Sequence, residues 1–193
     1  MERALADMER AFYLLDCGTR FNGIQVVSIQ GVIEEPLLRL SLDRLQARHP
    51  LLRVRLTGDD KTLGFTEDGA GPLPLLVLDR QGDDHWQAVV DIELNRPFAR
   101  TDDHLTRLLW LRGPKRSELV IAHHHVIADA LSMVFAVRDL LTDLAALSSG
   151  QSLLPPESLP LRPPLPALLP AQSKGLRLFP AMHDFFFKHV LGK

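Results

Sequence analysis

The stretch Leu119-Val120-Ile121-Ala122-His123-His124-His125-Val126-Ile127-Ala128-Asp129-Ala130 constrains this chain more than any other. Four apolar residues of strand length run straight into three consecutive histidines. Successive side chains of a strand point to opposite faces. His123 therefore shares a face with Leu119 and Ile121, and His124 faces the other way. His125 returns to the side of His123 if the strand continues, and points elsewhere if the chain turns there. Apolar flanks on both sides argue that these imidazoles are buried. Histidine is the side chain that takes and gives a proton near neutral pH, so burying several together suggests a chemical use. Asp129 stands where a helix N-cap would stand, ahead of an amphipathic stretch.

Hydrophobic periodicity places this stretch within an alternation of helices and strands. Residues 3–15 read as a helix with Leu5, Met8, Phe12 and Leu15 inward, broken by Asp16-Cys17-Gly18. Residues 24–32 read as a strand. A helix from Glu35-Pro36 buries Leu38, Leu42 and Leu45 and ends at His49-Pro50. Short strands follow at 51–56, carrying Arg53 and Arg55, at 62–67 and at 73–78, the last marked as an edge by Pro74. Asp83-Asp84 caps a helix burying Trp86, Val89, Val90 and Leu94. Residues 105–111 and 119–124 form an antiparallel hairpin across Gly113-Pro114-Lys115-Arg116. A helix from Asp129 to about Leu147 buries Val134, Val137, Leu141 and Leu144. Seven prolines between Pro155 and Pro170 make residues 149–174 a linker or crossover, extended and poor in ladder donors. Residues 175–193 read as a C-terminal helix whose Phe185-Phe186-Phe187 packs on something or lies on a membrane surface.

Composition removes several classes of function. The net charge of −2 offers no basic surface for a phosphate backbone. The single cysteine, Cys17, makes no internal disulfide. No apolar run approaches the roughly 18 residues of a membrane span. The N-terminus lacks the apolar core of a signal peptide, so a cytoplasmic location is expected. Metal binding by the histidines is disfavoured, because neighbours on opposite strand faces chelate one ion poorly. A purely structural histidine cluster stays open. There is no Gly-x-Ser-x-Gly elbow for a serine hydrolase.

His124-His125-Val126-Ile127-Ala128-Asp129 resembles the HHxxxD motif of the condensation-domain and acyltransferase superfamily. That superfamily includes nonribosomal peptide synthetase condensation domains, polyketide-associated acyltransferases and alcohol acetyltransferases. Three further stretches are similar to that family, in its order. They are 8–15 (Met-Glu-Arg-Ala-Phe-Tyr-Leu-Leu), His49-Pro50-Leu51-Leu52-Arg53, and Arg96-Pro97-Phe98 followed by Leu105-Thr106-Arg107-Leu108-Leu109. The resemblance runs from about residue 5 to about residue 150.

The resemblance implies an α/β fold like chloramphenicol acetyltransferase, a mixed and largely antiparallel sheet flanked by helices. Residues 1–148 would form a single half-domain, the N-terminal half of a condensation-type domain. It implies acyl transfer from a coenzyme A or carrier-protein phosphopantetheine thioester to an alcohol or amine. His125 would be the general base, His124 a structural residue, and Asp129 the residue that holds the loop. The arginine usually paired with that aspartate would be Arg107, or else Arg53 or Arg55. His123 lies outside the motif and reads as a core or supporting residue. No tightly bound cofactor or metal is implied. Ala130 replaces the glycine that usually follows the motif, and its methyl group narrows the approach to the histidine. Family members carry two similar halves with the substrate tunnel between them. A homo-oligomer or a separate C-terminal half would then complete the site. The alternatives are a non-catalytic half-domain that acts as a binding module, or one part of a split enzyme.

Overall fold

The computed structural model describes residues 2–59, 62–99 and 104–163. The proposed C-terminal helix at 175–193, with Phe185-Phe186-Phe187, lies outside the described residues. The chain divides into two units, Met1–Pro160 and Leu161–Lys193.

The centre of the first unit is a four-stranded sheet in the order β2-β7-β6-β5, built from Asn22–Gln30 (β2), Leu75–Asp79 (β5), Thr106–Arg112 (β6) and Arg116–His124 (β7). β7 pairs antiparallel with both β2 and β6. β5 pairs parallel with β6 at the sheet edge, as Pro74 suggested. The crossover between these two contains helix α3, His85–Asn95. A parallel pair requires a crossover of this kind. Three short strands, β1 (Glu2–Ala4), β3 (Arg55–Thr57) and β4 (Gly64–Thr66), form a separate antiparallel sheet in the order β1-β4-β3.

Both faces of the central sheet are covered, so β6 and β7 read as nearly unbroken apolar runs. Leu108, Trp110, Leu119 and Ile121 pack on one face against α2 (Glu35–Arg48) and α4 (Ala130–Ser148). Leu109, Leu111 and Val120 pack on the other face, against Val89 of α3. The two-residue alternation along these strands thus sorts side chains between two cores.

Several boundaries differ from the sequence reading, each for a visible reason. Helix α1 spans Asp7–Thr19 and continues through Cys17-Gly18. It starts late because residues 2–4 pair with β4 and because Glu9 draws the chain into the helix, accepting from the Ala6 amide and from Arg3. Arg20, in the left-handed region at φ 60, ends it. Residues 50–53 form a 3-10 turn rather than a strand. Leu94 is exposed, and Glu93 takes the inward position because arginines neutralise it there.

Helix α4 keeps Leu144 buried and Val137 packed on the core as expected, but the rest of its buried stripe differs. Met133, Ala136, Leu140 and Leu144 face inward, while Val134 is 55% exposed. Its first turns are apolar all round, so periodicity alone does not choose a face. Ion pairs to α2 flank the buried stripe, Arg44 to Asp143 at 2.8 Å, and Arg48 and His49 to Asp139 at 2.9 and 3.1 Å.

The first part of the proline-rich stretch lies along α2. The Leu159 amide donates to the Arg48 carbonyl at 2.8 Å. Arg44 donates to the Leu154 carbonyl at 2.8 Å, and Arg48 to that of Glu157 at 3.3 Å. The same two arginines therefore bind α4 and the extended segment at once.

β2 meets the histidines directly, with Asn22 opposite His124 and Gly23 opposite His123. A β-carbon on Gly23 would lie 2.2 Å from Cε1 of His123. Only a residue without a side chain fits beneath that ring. Gly23→Ala is expected to lose about 1–3 kcal/mol of stability by overpacking. Urea denaturation checks this. An unchanged midpoint would show that the His123 ring does not rest on Gly23.

Candidate active site

The strand ends at His124, and the chain turns at His125. The three imidazoles consequently sit in three environments. His123 is fully buried on the face shared with α2 and α4. Burial pushes its pKa down to about 4, with a smaller push from His125. His124 is 1% exposed on the opposite face. Its Nδ1 accepts the Val126 amide at 3.0 Å. The ring stacks on Tyr13 of α1 at 6.1 Å between centroids and meets Phe98 at 6.0 Å. Its Nε2 lies 3.7 Å from the Asp16 carboxylate. Burial lowers its pKa to about 4, and the charge of Asp16 opposes this.

His125 is half-buried at the turn. Its ring lies 4.6 Å from Phe21 and 5.7 Å from Phe12, with His123 edge-on at 5.5 Å. Burial lowers its pKa, while the Ala128 backbone and the charges of Asp129 and Asp16 act the other way. The net direction is down, toward the neutral imidazole, in an aromatic slot.

Asp129 caps α4, its carboxylate accepting the Ser132 amide at 2.7 Å. The hydrogen bonds from Ser132 hold its pKa below the usual carboxylate value. Ala130 is the first residue of that helix and is exposed.

The expected pairing of Arg107 with Asp129 is not made. Arg107 lies opposite Ala122 in the β6–β7 ladder, on the face that carries α3. Asp129 opens α4 on the other side of the sheet. Arg107 instead binds Glu93 at 2.6 Å, donates to the Arg96 carbonyl at 2.8 Å, and sits 3.7 Å over the Phe98 ring. Arg53 and Arg55 are also engaged elsewhere. Arg53 donates to the carbonyls of Gln46 and Ala47, and Arg55 to that of Asp68.

Arg107 is still tied to the motif, through Phe98. Arg96-Pro97-Phe98 is held by Arg107 and by Asn22, whose amide nitrogen donates to the Glu93 and Arg96 carbonyls at 2.9 and 2.8 Å. Sequence reasoning missed Asp16, Phe21, Asn22 and Glu93 as parts of this site. Asp16 passed as a helix breaker, although its position four residues after Phe12 puts both on one helix face. A surface groove of about 320 Å³ lies among Asp43, Gln46, Arg53, Glu67, Ala70, Gly71 and Pro72, and contains none of the motif histidines. Among the described residues, no cluster of three or more histidine, cysteine or acidic side chains is arranged to hold a metal. No described helix is long and apolar enough to cross a membrane.

The model of the condensation-domain family matches residues 13–160, which include every motif residue. The chain belongs to the condensation-domain family. No curated protein sequence matches it. The fold is similar to that of solved condensation domains. For the starter condensation domain of rhizomide synthetase, the TM-score is 0.68 at 21% identity, covering 79% of this chain and 39% of that one. For the X-domain from teicoplanin biosynthesis the values are 0.69 and 25%, covering 82% and 35%. For the first condensation domain of the calcium-dependent antibiotic synthetase they are 0.68 and 18%, covering 82% and 40%. The expected chloramphenicol-acetyltransferase-like α/β architecture is thus the architecture found. This condensation-family chain spans no more than 40% of the length of these three domains.

Two outcomes are expected of the site. Arg107→Met would leave the buried Glu93 with Arg96 alone. Breaking a buried pair in this way costs about 3–5 kcal/mol, read as a lower urea midpoint. The second concerns acid. The folded-state pKa values of His123 and His124, about 4, lie below the ordinary 6.5. Between these values the unfolded chain binds protons that the folded chain does not. Stability is therefore full above pH 6.5 and falls as the pH drops toward 4. Each histidine takes up about one proton on unfolding near pH 5. Urea titrations at several pH values check this, and a midpoint unchanged from pH 7 to 5 would contradict it.

Proposed function

We propose that this chain is the N-terminal half of a condensation-type acyltransferase. It would move an acyl group from a coenzyme A or carrier-protein thioester to an alcohol or amine. The observation that carries the reading is His125. It is a half-buried imidazole, turned out of the strand into an aromatic slot that lowers its pKa, within the stretch that matches the HHxxxD pattern. In the reaction His125 takes the proton of the hydroxyl or amine as that atom attacks the thioester carbonyl. The carbon–sulfur bond breaks, and the thiolate leaves with the proton returned by His125. His124 and Asp129 shape the turn, and Arg107 supports it through Phe98. Phosphopantetheine arrives as part of the donor, and no resident cofactor or metal takes part. A variant of the rhizomide starter domain is known in complex with C8-CoA, which supports a thioester donor of this kind. The facing wall of the site would be supplied by the other half of such a domain. The protein works in the cytoplasm, where such thioesters are made.

A second reading has a specific observation behind it. The teicoplanin X-domain, 24% identical to this chain, is known in complex with OxyB. A condensation fold can therefore serve as a docking module, and this chain would then bind a partner without transferring acyl groups.

Acyl transfer from acyl-CoA to a panel of alcohols and amines separates the two. The purified chain is assayed alone and mixed with a candidate C-terminal half. Activity should fall about 10²–10⁴-fold in His125→Ala, the usual contribution of a general base. Activity untouched by that substitution would remove His125 from the mechanism. A chain inactive under every condition, yet still binding a partner enzyme, would favour the docking reading.

A further inference from the structure

Asp16 is a buried acid at the motif to which the proposed reaction gives no part. It is 3% exposed, in the last turn of α1. Its two carboxylate oxygens are divided between two tasks. Oδ1 accepts the Phe21 amide at 2.7 Å. Oδ2 faces Nε2 of His124 at 3.7 Å, beyond a direct hydrogen bond but within electrostatic reach. Among the described residues, Nε2 makes no direct hydrogen bond.

The other ring nitrogen decides where the proton is. Nδ1 of His124 accepts the Val126 amide, so it carries no proton. A neutral imidazole then carries its proton on the remaining nitrogen. That N–H points toward the Asp16 carboxylate. Closing α1 does not require the carboxylate, because the Asp16 carbonyl already accepts the Arg20 amide at 3.2 Å. Meanwhile Phe21, whose amide Asp16 holds, lays its ring 4.6 Å from that of His125. One acid is thus coupled to both motif histidines by two separate routes.

We propose that Asp16 is a positioning residue for the motif. It sets its charge against the Nε2–H that the Val126 contact leaves on His124 and, through the Phe21 amide, sets the aromatic wall against which His125 is oriented. The consequence for catalysis rests on the reading of His125 as a base, whereas the tautomer and the wall do not.

Asp16→Asn is a sharp substitution because it keeps size and shape. An amide offers one acceptor and one donor group, while Asp16 faces two donors. Its NH2 must oppose either the His124 N–H or the Phe21 N–H. Moving the His124 proton to Nδ1 offers no relief, since the Val126 amide already points there.

The test uses the full chain with ¹⁵N-labelled histidine. Long-range proton–nitrogen spectra at pH 7 report the tautomer of each ring. The wild-type chain should show His124 as the Nε2–H form. Asp16→Asn should keep that tautomer but shift the His124 Nε2 signal and the His125 ring signals. Phe21→Leu should leave the His124 tautomer alone and shift His125 only, which separates the two routes. In the acyl-transfer assay, Asp16→Asn should lower kcat about tenfold with KM little changed, as misplacement of a catalytic group does. An Nδ1–H tautomer in the wild-type chain would overturn the proposal even if the variant does not fold. Unchanged spectra of both histidines in Asp16→Asn would overturn it as well. A chain that transfers no acyl group, yet shows the expected tautomer and the expected shifts in Asp16→Asn, would refute the assigned reaction and leave the role of Asp16 standing.

Discussion

The site depends on the pleat at the end of β7. Because both faces of the central sheet are covered, alternation sends His123 and His124 to opposite faces, and both are buried there. Neither can swing to the other side without dragging the register of nine paired residues with β2. The third histidine falls where the ladder stops and is free to take a different direction. A run of identical residues thus acquires three separate roles from backbone geometry alone. Gly23 belongs to the same constraint, since the strand opposite must be bare where the His123 ring lies across it.

Two of the buried acids around this pleat share their charge with arginines. Glu93 meets Arg107 and Arg96 on the α3 side. Glu118, also fully buried on that side, lies 2.8 Å from Arg80 and 2.9 Å from Arg116. An unpaired carboxylate at either place would be costly to desolvate. On the opposite side, the α2–α4 contact is flanked by arginine–aspartate pairs at the edge of the apolar seam. Which stripe of α4 turns inward is a choice that its own hydrophobicity leaves undetermined. Leu131, Val134 and Phe135 are left outward.

Much of the fold was legible because it rests on local patterns. The Leu38-Leu42-Leu45 stripe, the β6–β7 hairpin, the edge position of β5 and the Asp129 cap all follow from spacing or from one residue's chemistry. The split of His123 from His124 was legible for the same reason, being a consequence of period two. What failed was long-range. The pairing of Arg107 with Glu93 joins a strand to a helix through the parity of β6, and sequence does not reveal which partner waits on that face. The phase of α4 was legible only in part, with Leu144 and Val137 on the core side but Val134 exposed, because two apolar stripes compete. Asp16 was hidden for a different reason. An acid beside cysteine and glycine looks like a helix end, and only the return of β2 beside β7 brings it against His124.

A base of the proposed kind faces two opposed demands, which the surroundings of His125 meet separately. It must be neutral before the reaction and able to carry a charge during it. Burial against Phe12, Phe21 and His123 serves the first demand by disfavouring the imidazolium. The positive end of α4, starting at Ala130, acts in the same direction. Carried too far, these effects would leave an imidazole too weak to accept a proton, as in the neighbouring rings held near 4. His125 is distinguished from them by partial exposure, and it feels both Asp129 at the helix cap and Asp16 behind the rings, where His123 and His124 each feel one of the two. Catalytic efficiency is greatest when the pKa of the base stays near the working pH. Turning the chain at His125, rather than extending β7 by one more residue, is what spares this imidazole the full burial of its neighbours.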